Sequence, residues 1–574
     1  MTAPSQDAID QQPGAQAEPA GRVTGSRSPR VFSPLFSGTG VTAALAFFSL
    51  SLEPSLLPRR PLFQGVVSGI SVILGYGLGV FGHWIWSYLE LPKLKGHRQR
   101  MLVWIASLVM VIGFMTLPAV WRHVGWQNDV RSIFGMDPTS PWVWLAIPVV
   151  TVLLAASILI VARSIRALFR LFARWLDKVL PRRLSLVMGG TALLLLIWWV
   201  WSGLLVSGFF SVANQVFSVR DDATAEGVEQ PDSPSRSGSP ESLVPWETLG
   251  RQGRSVVAGG PTLAKLDAFH GGGALEPVRV YAGLKSADSL EERADLVLEE
   301  LKRAGAFDRE VLVVATTTGT GWLDPNAMDT LEYLFNGDTA IVGVQYSYLP
   351  SPISLLADQQ AVRKTSRAIF ETIHDYWSTL PEASRPRIYL FGLSLGSLGV
   401  ESILSSISII NAPVNGALLA GPPFVNELRR YIVANRDEGS PPWRPIFERG
   451  RTVRFTTEEN ALDLPTAEWG QTRIVYLQHA SDPLVFFSPD LALRRPDWLK
   501  EGQRGPEIPD KMTWTPLVTM GQLAVDIMAA TAVPEGYGHL YSPSAYIDSW
   551  IGITRPDGWS EEDTARLKQL FTGG

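Results

Sequence analysis

Apolar and polar positions follow two different patterns along this chain. Up to residue 210 the apolar residues come in long runs, at about 35–52, 62–88, 101–121, 142–162 and 184–210. Runs of about 18 or more apolar residues match the length of a helix crossing a hydrocarbon core. The first run is the weakest, being short and ending at Glu53-Pro54. From about 275 the apolar runs shrink to strand length. VRVYAG (278–283), VLVVAT (311–316), TAIVGVQYSY (339–348), RIYLF (387–391), GALLA (416–420) and RIVYLQ (473–478) read as strands. Amphipathic helical stretches separate them, such as LEERADLVLEELKRAG, NAMDTLEYLF, 358–377 and 395–407. Short apolar strands alternating with helices predict a mostly parallel sheet covered on both faces. The expected fold class is α/β, preceded by an all-α transmembrane bundle.

This pattern divides the chain into a disordered cytoplasmic tail (1–34), a membrane domain of about five helices (35–210), a linker (211–262) and an α/β domain (263–574). The tail is polar and rich in Ala, Gln, Pro and Ser, unlike a cleavable signal peptide. Residues 221–245 are rich in Pro, Ser and acids, as linkers are. Lys and Arg set the orientation. With the N-terminus inside, the cytoplasmic segments hold fourteen of them and the two outer connections four (Arg59, Arg60, Arg122, Arg131). Omitting the first helix would leave eleven in the outer loops. The five-helix arrangement therefore places everything after 210 outside the cytoplasm, in the cell membrane's outer compartment. Arg163, Arg166, Arg170, Arg174 and Lys178 recur at three- and four-residue steps, which predicts an interfacial helix on an anionic leaflet.

Composition and residue placement change the picture in four places. A net charge of −5 argues against a nucleic-acid partner. The chain has no cysteine, which excludes disulfides, thiolate metal sites and a cysteine nucleophile. No Asp, Glu, Lys or Arg lies in the middle of an apolar run, so a transporter or proton relay has no groups to work with. Eleven of the 20 tryptophans precede residue 202, many near run ends, where an interfacial belt would place them.

Gly392-Leu393-Ser394-Leu395-Gly396 is a G-x-S-x-G match placed where the strand RIYLF turns into a helix. The two glycines permit a sharp turn that exposes the Ser394 hydroxyl at the sheet's C-terminal edge. A nucleophilic serine needs a base oriented by a carboxylate. In the chain order of α/β-hydrolases the acid follows the nucleophile and the histidine comes last. Of seven histidines, only His479 and His539 lie downstream of Ser394. His539, in the loop PEGYGHLY, is the better base candidate, and His479 is the alternative. Asp482 follows a strand and suits the acid, with Asp490 as fallback. The oxyanion hole calls for two backbone N–H groups. Leu395 supplies one. For the other, TTTGTGW after the second strand (Thr318, Gly319, Thr320) is favoured over HGGG at 270–273, which no strand precedes. Trp322, Tyr346 and Tyr348 are candidates for an acyl pocket or for plain core, and the loops around 434–470 are long enough for a lid.

EPVRVYAGL, ERADLVLEELKRAGAFDRE, TGTGWLDP, VQYSYLPS, FGLSLGSLG, AGPP, YLQHASDPLV, PDWL and GYGHLY make the sequence resemble an actinobacterial membrane-anchored α/β-hydrolase family. The resemblance covers most of the chain. It implies a multi-helix membrane region followed by a catalytic domain, with Ser394, Asp482 and His539 as the triad. The expected activity is a serine esterase or lipase acting on lipidic or cell-envelope acyl esters through an acyl-enzyme. An acyltransferase delivering the acyl group to a sugar or lipid hydroxyl uses the same site. A catalytically inactive membrane scaffold or receptor is the reading from another class. No metal or organic cofactor is implied, and the substrate and the membrane are the expected partners.

Overall fold

The computed structural model describes residues 36–92, 96–176, 207–357 and 359–573, with four isolated positions between 177 and 206. The tail and nearly all of the fifth apolar run lie outside the described residues. The N-terminal bundle contains α1 (Gly38–Ser51), α2 (Pro61–Tyr88), α3 (His97–Ile133) and α4 (Ala146–Leu176). Among the described residues, three helices are long and apolar enough to cross a membrane: Pro61–Tyr88, His97–Ile133 and Ala146–Phe172. The fourteen residues of α1 span about 21 Å at 1.5 Å per residue, short of a core of about 30 Å. α1 lies so close to α2 that a Cβ at Gly75 would sit 2.6 Å from the Ala43 carbonyl oxygen. Phe114, Trp121, Leu153 and Ile160 point outward and exposed, the reverse of a water-soluble bundle. Pro118 has no N–H to give, and α3 absorbs the mismatch in a π turn at Ile112–Thr116. The basic stretch that sequence sets apart as an interfacial helix continues α4 without a break through Arg174.

α5 (Ser207–Asp222) leads into the second half. Seven parallel strands form one sheet in the order β1-β3-β2-β4-β5-β7-β6. They are β1 (Val278–Ala282), β2 (Val311–Thr316), β3 (Thr339–Val344), β4 (Arg387–Leu393), β5 (Gly416–Ala420), β6 (Val453–Thr456) and β7 (Arg473–Leu477). Alternate side chains of each strand face opposite layers. In β2, Val311, Val313 and Ala315 join one core cluster, and Leu312 and Val314 join the other. α6 (Leu290–Arg303) and the later α9 (Gln359–Thr379) close the second face. The first face is closed by α7 (Pro325–Leu334) and by the helix Pro543–Thr554. Between β3 and α9 the chain forms the short α8 (Ser351–Ala357).

Three expectations are corrected here. The strand expected over 339–348 stops at Val344, because Gln345 turns its amide to the Thr320 and Ser347 carbonyls. The 221–245 run is packed rather than loose. Ser235 and Ser237 hydrogen-bond the backbone of Arg279 in β1, and the buried Glu300 carboxylate accepts from Ser237, Ser242 and the Leu243 N–H. The 434–470 stretch is anchored by the edge strand β6, whose buried Arg454 donates to the Gly450, Leu462 and Ala467 carbonyls. Four residues with a charge at the second position carry too little apolar signal to read as a strand.

The two halves meet. Leu56 and Leu57 in the α1–α2 connection, with Val130 and Phe134 at the end of α3, form one apolar cluster with Leu484, Met512, Leu523, Ala530 and Val533. Leu523 belongs to a helix, Val518–Ile527, that packs on α1 and α2.

Candidate active site

β4 delivers Ser394 to the C-terminal edge of the sheet, and α10 (Leu395–Leu404) starts at the next residue. Ser394 has φ +56° and ψ −125°, a strained conformation for a residue with a side chain. The turn is that tight because the helix lies on the strand. A Cβ at Gly392 would sit 2.4 Å from the Gly396 carbonyl, and one at Gly396 2.3 Å from the Thr316 oxygen. Only glycine fits at either position. The Ser394 hydroxyl does not cap the helix it precedes. Its N–H donates to the Ala420 carbonyl at the end of β5 (2.9 Å).

Asp482 follows β7 and begins a single helical turn, Pro483–Phe486, accepting the Leu484 N–H on Oδ1 (2.9 Å). Its Oδ2 accepts from His539 Nδ1 at 2.6 Å and from the Tyr541 hydroxyl at 2.8 Å. Nδ1 therefore carries the proton, leaving Nε2 with a lone pair. Nε2 is buried and has no hydrogen-bond partner among the described residues. The His539 ring lies on Gly421, where a Cβ would sit 2.5 Å from Cε1. Ser394 and His539 thus border the same Ala420–Gly421 peptide. Asp482 and His539, 57 positions apart, are hydrogen-bonded, and Ser394, 88 positions before Asp482, reaches the same Ala420–Gly421 segment through its backbone.

His479 and Asp490 lie outside the Asp482–His539 pair. His479 is fully buried, bonds the Gly538 carbonyl through Nδ1 (3.0 Å) and stacks on Tyr541 at 4.4 Å. Burial pushes its pKa down, but Glu458, whose carboxylate lies 3.8 Å from Nε2, and Glu507 more than offset this and raise it. Asp490 is exposed in a turn capped by Ser488. The loop carrying His539 has further supports. The Gly538 N–H donates to Ser481 Oγ (2.9 Å), and Ser481 is bonded in turn to Glu507. The His539 N–H donates to the Ala530 carbonyl (2.8 Å).

The oxyanion assignment is corrected in part. Leu395 heads α10, where a helix's first N–H groups have no intrahelical acceptor. In the other loop, the Thr318 N–H closes a tight turn on the Trp322 carbonyl (2.9 Å), and the Gly319 N–H donates to Ser351 Oγ (3.1 Å). Both donors are engaged in this structure, whereas no acceptor takes the Thr320 N–H among the described residues. HGGG is the end of a helix, Leu263–His270, with Gly271 as its left-handed cap, and His270 bonds the Tyr333 carbonyl. Of the acyl-pocket candidates, Tyr346 belongs to an apolar cluster with Leu355, Val362, Leu395 and Leu398 beside the elbow. Trp322 packs on the main core, and Tyr348 lies among Asp221, Asp222, Lys285 and Arg293.

Tyr541 is a site residue that sequence reasoning did not single out. Its only signal is its position two residues after His539. Replacing it with Phe removes one hydrogen bond to a buried carboxylate and leaves the ring. The expected result is a fall of about 10-fold in kcat on a short nitrophenyl ester with KM unchanged, the size of a charge-assisted hydrogen bond. An unchanged kcat would show that the His539 bond alone orients Asp482.

A parallel sheet with a serine on a strand-to-helix elbow, followed in order by an aspartate and a histidine, is the pattern of an α/β-hydrolase. A model of an alpha/beta-hydrolase family matches residues 278–567, and a model of the family's N-terminal region matches 52–261. The chain belongs to this α/β-hydrolase family. No curated protein matches the chain.

Proposed function

We propose that the protein is a serine hydrolase that cleaves acyl esters, held at a membrane by its N-terminal helices. One observation carries the reading. His539 Nδ1 is tied to Asp482 at 2.6 Å while its buried Nε2 is unpaired, beside a serine held at φ +56°.

The chemistry follows from that arrangement. Ser394 Oγ attacks the ester carbonyl as its proton passes to His539 Nε2, and the imidazolium is stabilised by Asp482. The tetrahedral oxyanion takes the Leu395 N–H, with the Thr320 N–H, which has no acceptor among the described residues, as the candidate second donor. The C–O bond to the alcohol then breaks, and His539 protonates the leaving oxygen. A water loses its proton to Nε2 and attacks the acyl-enzyme, releasing the acid and restoring Ser394.

Membrane attachment is supported by the three long apolar helices and their outward apolar faces. The connections that pack on the hydrolase half, at 52–60 and around Phe134, are the ones the charge count places outside. The basic end of α4 lies toward the other end of the bundle. This supports a catalytic domain on the outer face of the cell membrane, with membrane lipids or envelope esters as substrates. The first test is labelling of native membranes with a fluorophosphonate. Covalent label on the peptide containing Ser394 is the expected result. Unlabelled, folded protein would rule out an activated serine.

A further inference from the structure

The α1–α2 connection is built into the hydrolase half, against the loop that holds His539. Arg59 is 3% exposed, and its guanidinium grips Asp526 twice, Nε to Oδ1 at 2.6 Å and Nη2 to Oδ2 at 3.1 Å. Ser55 Oγ donates to the same Asp526 Oδ2 (2.5 Å). On the bundle side, Arg59 Nη1 donates to Gln64 and the Arg59 N–H to Gln127 (both 3.1 Å). Gln64 in turn holds the Ser51 carbonyl (2.8 Å). Burying two charges is costly unless every partner is fixed, and here each is fixed between the same three elements. The latch ends the helix Val518–Ile527, and Ala530, which accepts the His539 N–H, follows three residues later. Leu57 then packs from the bundle side. A Cβ at Gly538 would sit 3.4 Å from Leu57 Cδ2 and 2.7 Å from the Ala530 oxygen. Phe134, just past α3, meets the Tyr537 ring at 4.7 Å. The loop 537–539 is therefore supported by Ala530 and Ser481 from the hydrolase half and by Leu57 and Phe134 from the bundle.

We propose that the N-terminal bundle is part of the catalytic machinery, its Leu57 and Phe134 acting as positioning residues for the His539 loop and its Arg59 as the latch that sets their height. The inference rests on the serine-hydrolase reading for its catalytic consequence, but the loop contact itself does not. A base displaced by about 1 Å can cost as much as 10²-fold, so the bundle acts on kcat while leaving substrate affinity alone.

The test compares full-length wild type with Leu57→Ala/Phe134→Ala in lipid nanodiscs. A second variant, Phe134→Leu, keeps an apolar side chain but removes the ring from Tyr537, and serves if the double variant does not fold. Leu493→Ala, an exposed position (79%), is the control. Two readouts are taken: kcat and KM on p-nitrophenyl butyrate, and amide hydrogen exchange across 536–540. Expected for the double variant are a kcat lower by about 10-fold or more, KM within about twofold of wild type, and faster exchange at the His539 amide. The control changes neither. Wild-type exchange in a folded variant overturns the positioning role, as does faster exchange with full kcat. If wild type itself neither hydrolyses the ester nor takes a fluorophosphonate, the serine-hydrolase reading fails. Exchange at the His539 amide then decides the contact alone.

Discussion

Ser394→Ala is expected to lower kcat for a short nitrophenyl ester by about 10⁴-fold or more, because no other group can form the acyl-enzyme. His539→Gln should fall by a similar factor. The amide can still receive the Asp482 hydrogen bond, but it has no basic nitrogen to take the Ser394 proton. The double variant should be no worse than either single one, since residues that act as a unit lose their effect together. Residual activity on the order of 10³-fold over water would remain from binding and backbone donors. The measurement is steady-state hydrolysis by purified full-length protein, with melting of each variant checked against wild type. If Ser394→Ala kept even a tenth of the wild-type rate, Ser394 would not be the nucleophile. If Ser394→Ala were dead and His539→Gln active, the base would have to be sought elsewhere at the sheet edge.

The second large effect is on stability. Asp526→Ala leaves the Arg59 guanidinium buried without its counter-charge, and Ser55 without its acceptor. Breaking a buried ion pair from one side costs about 3–5 kcal/mol. Both side chains are essentially sealed, at 1% and 0% exposure, so no solvent screening reduces that figure. Replacing both members by apolar residues of similar volume, Arg59→Met with Asp526→Leu, should recover most of the loss, because neither charge is then stranded. Thermal or denaturant unfolding in detergent reads this directly. A single variant within about 1 kcal/mol of wild type would mean that Arg59 reaches water, and that the junction between the halves opens in solution.

How much of this was legible before the structure depended on how local each signal was. The strands of the inner sheet were legible because both faces of a parallel sheet are buried, which turns VLVVAT and RIYLF into unbroken apolar runs. The edge strand β6 was not, since VRFT owes its place to carbonyls that receive a buried arginine. The Pro/Ser-rich stretch before β1 reads as a linker by composition, yet the carboxylate that organises it, Glu300, lies about sixty residues further on. The site divides the same way. Ser394 was legible because a strand-to-helix elbow demands its two glycines, and His539 because few histidines follow it. Thr318 and Gly319 looked free only because sequence does not show that a turn and the Ser351 hydroxyl already occupy their N–H groups.

By itself the sequence determined the division into an apolar helical half and an α/β half, the parallel sheet, and Ser394, Asp482 and His539 as the residues to test. Each of these follows from periodicity or from short-range backbone demands, which a one-dimensional pattern records. The tertiary structure alone decided that Asp482 accepts from both His539 and Tyr541, that His479 packs on Tyr541 and bonds the Gly538 carbonyl, and that the α1–α2 connection packs under the histidine loop. Ser55 and Asp526 meet across 471 positions. A contact between residues so far apart depends on how whole elements pack, and it leaves no periodic trace near either residue.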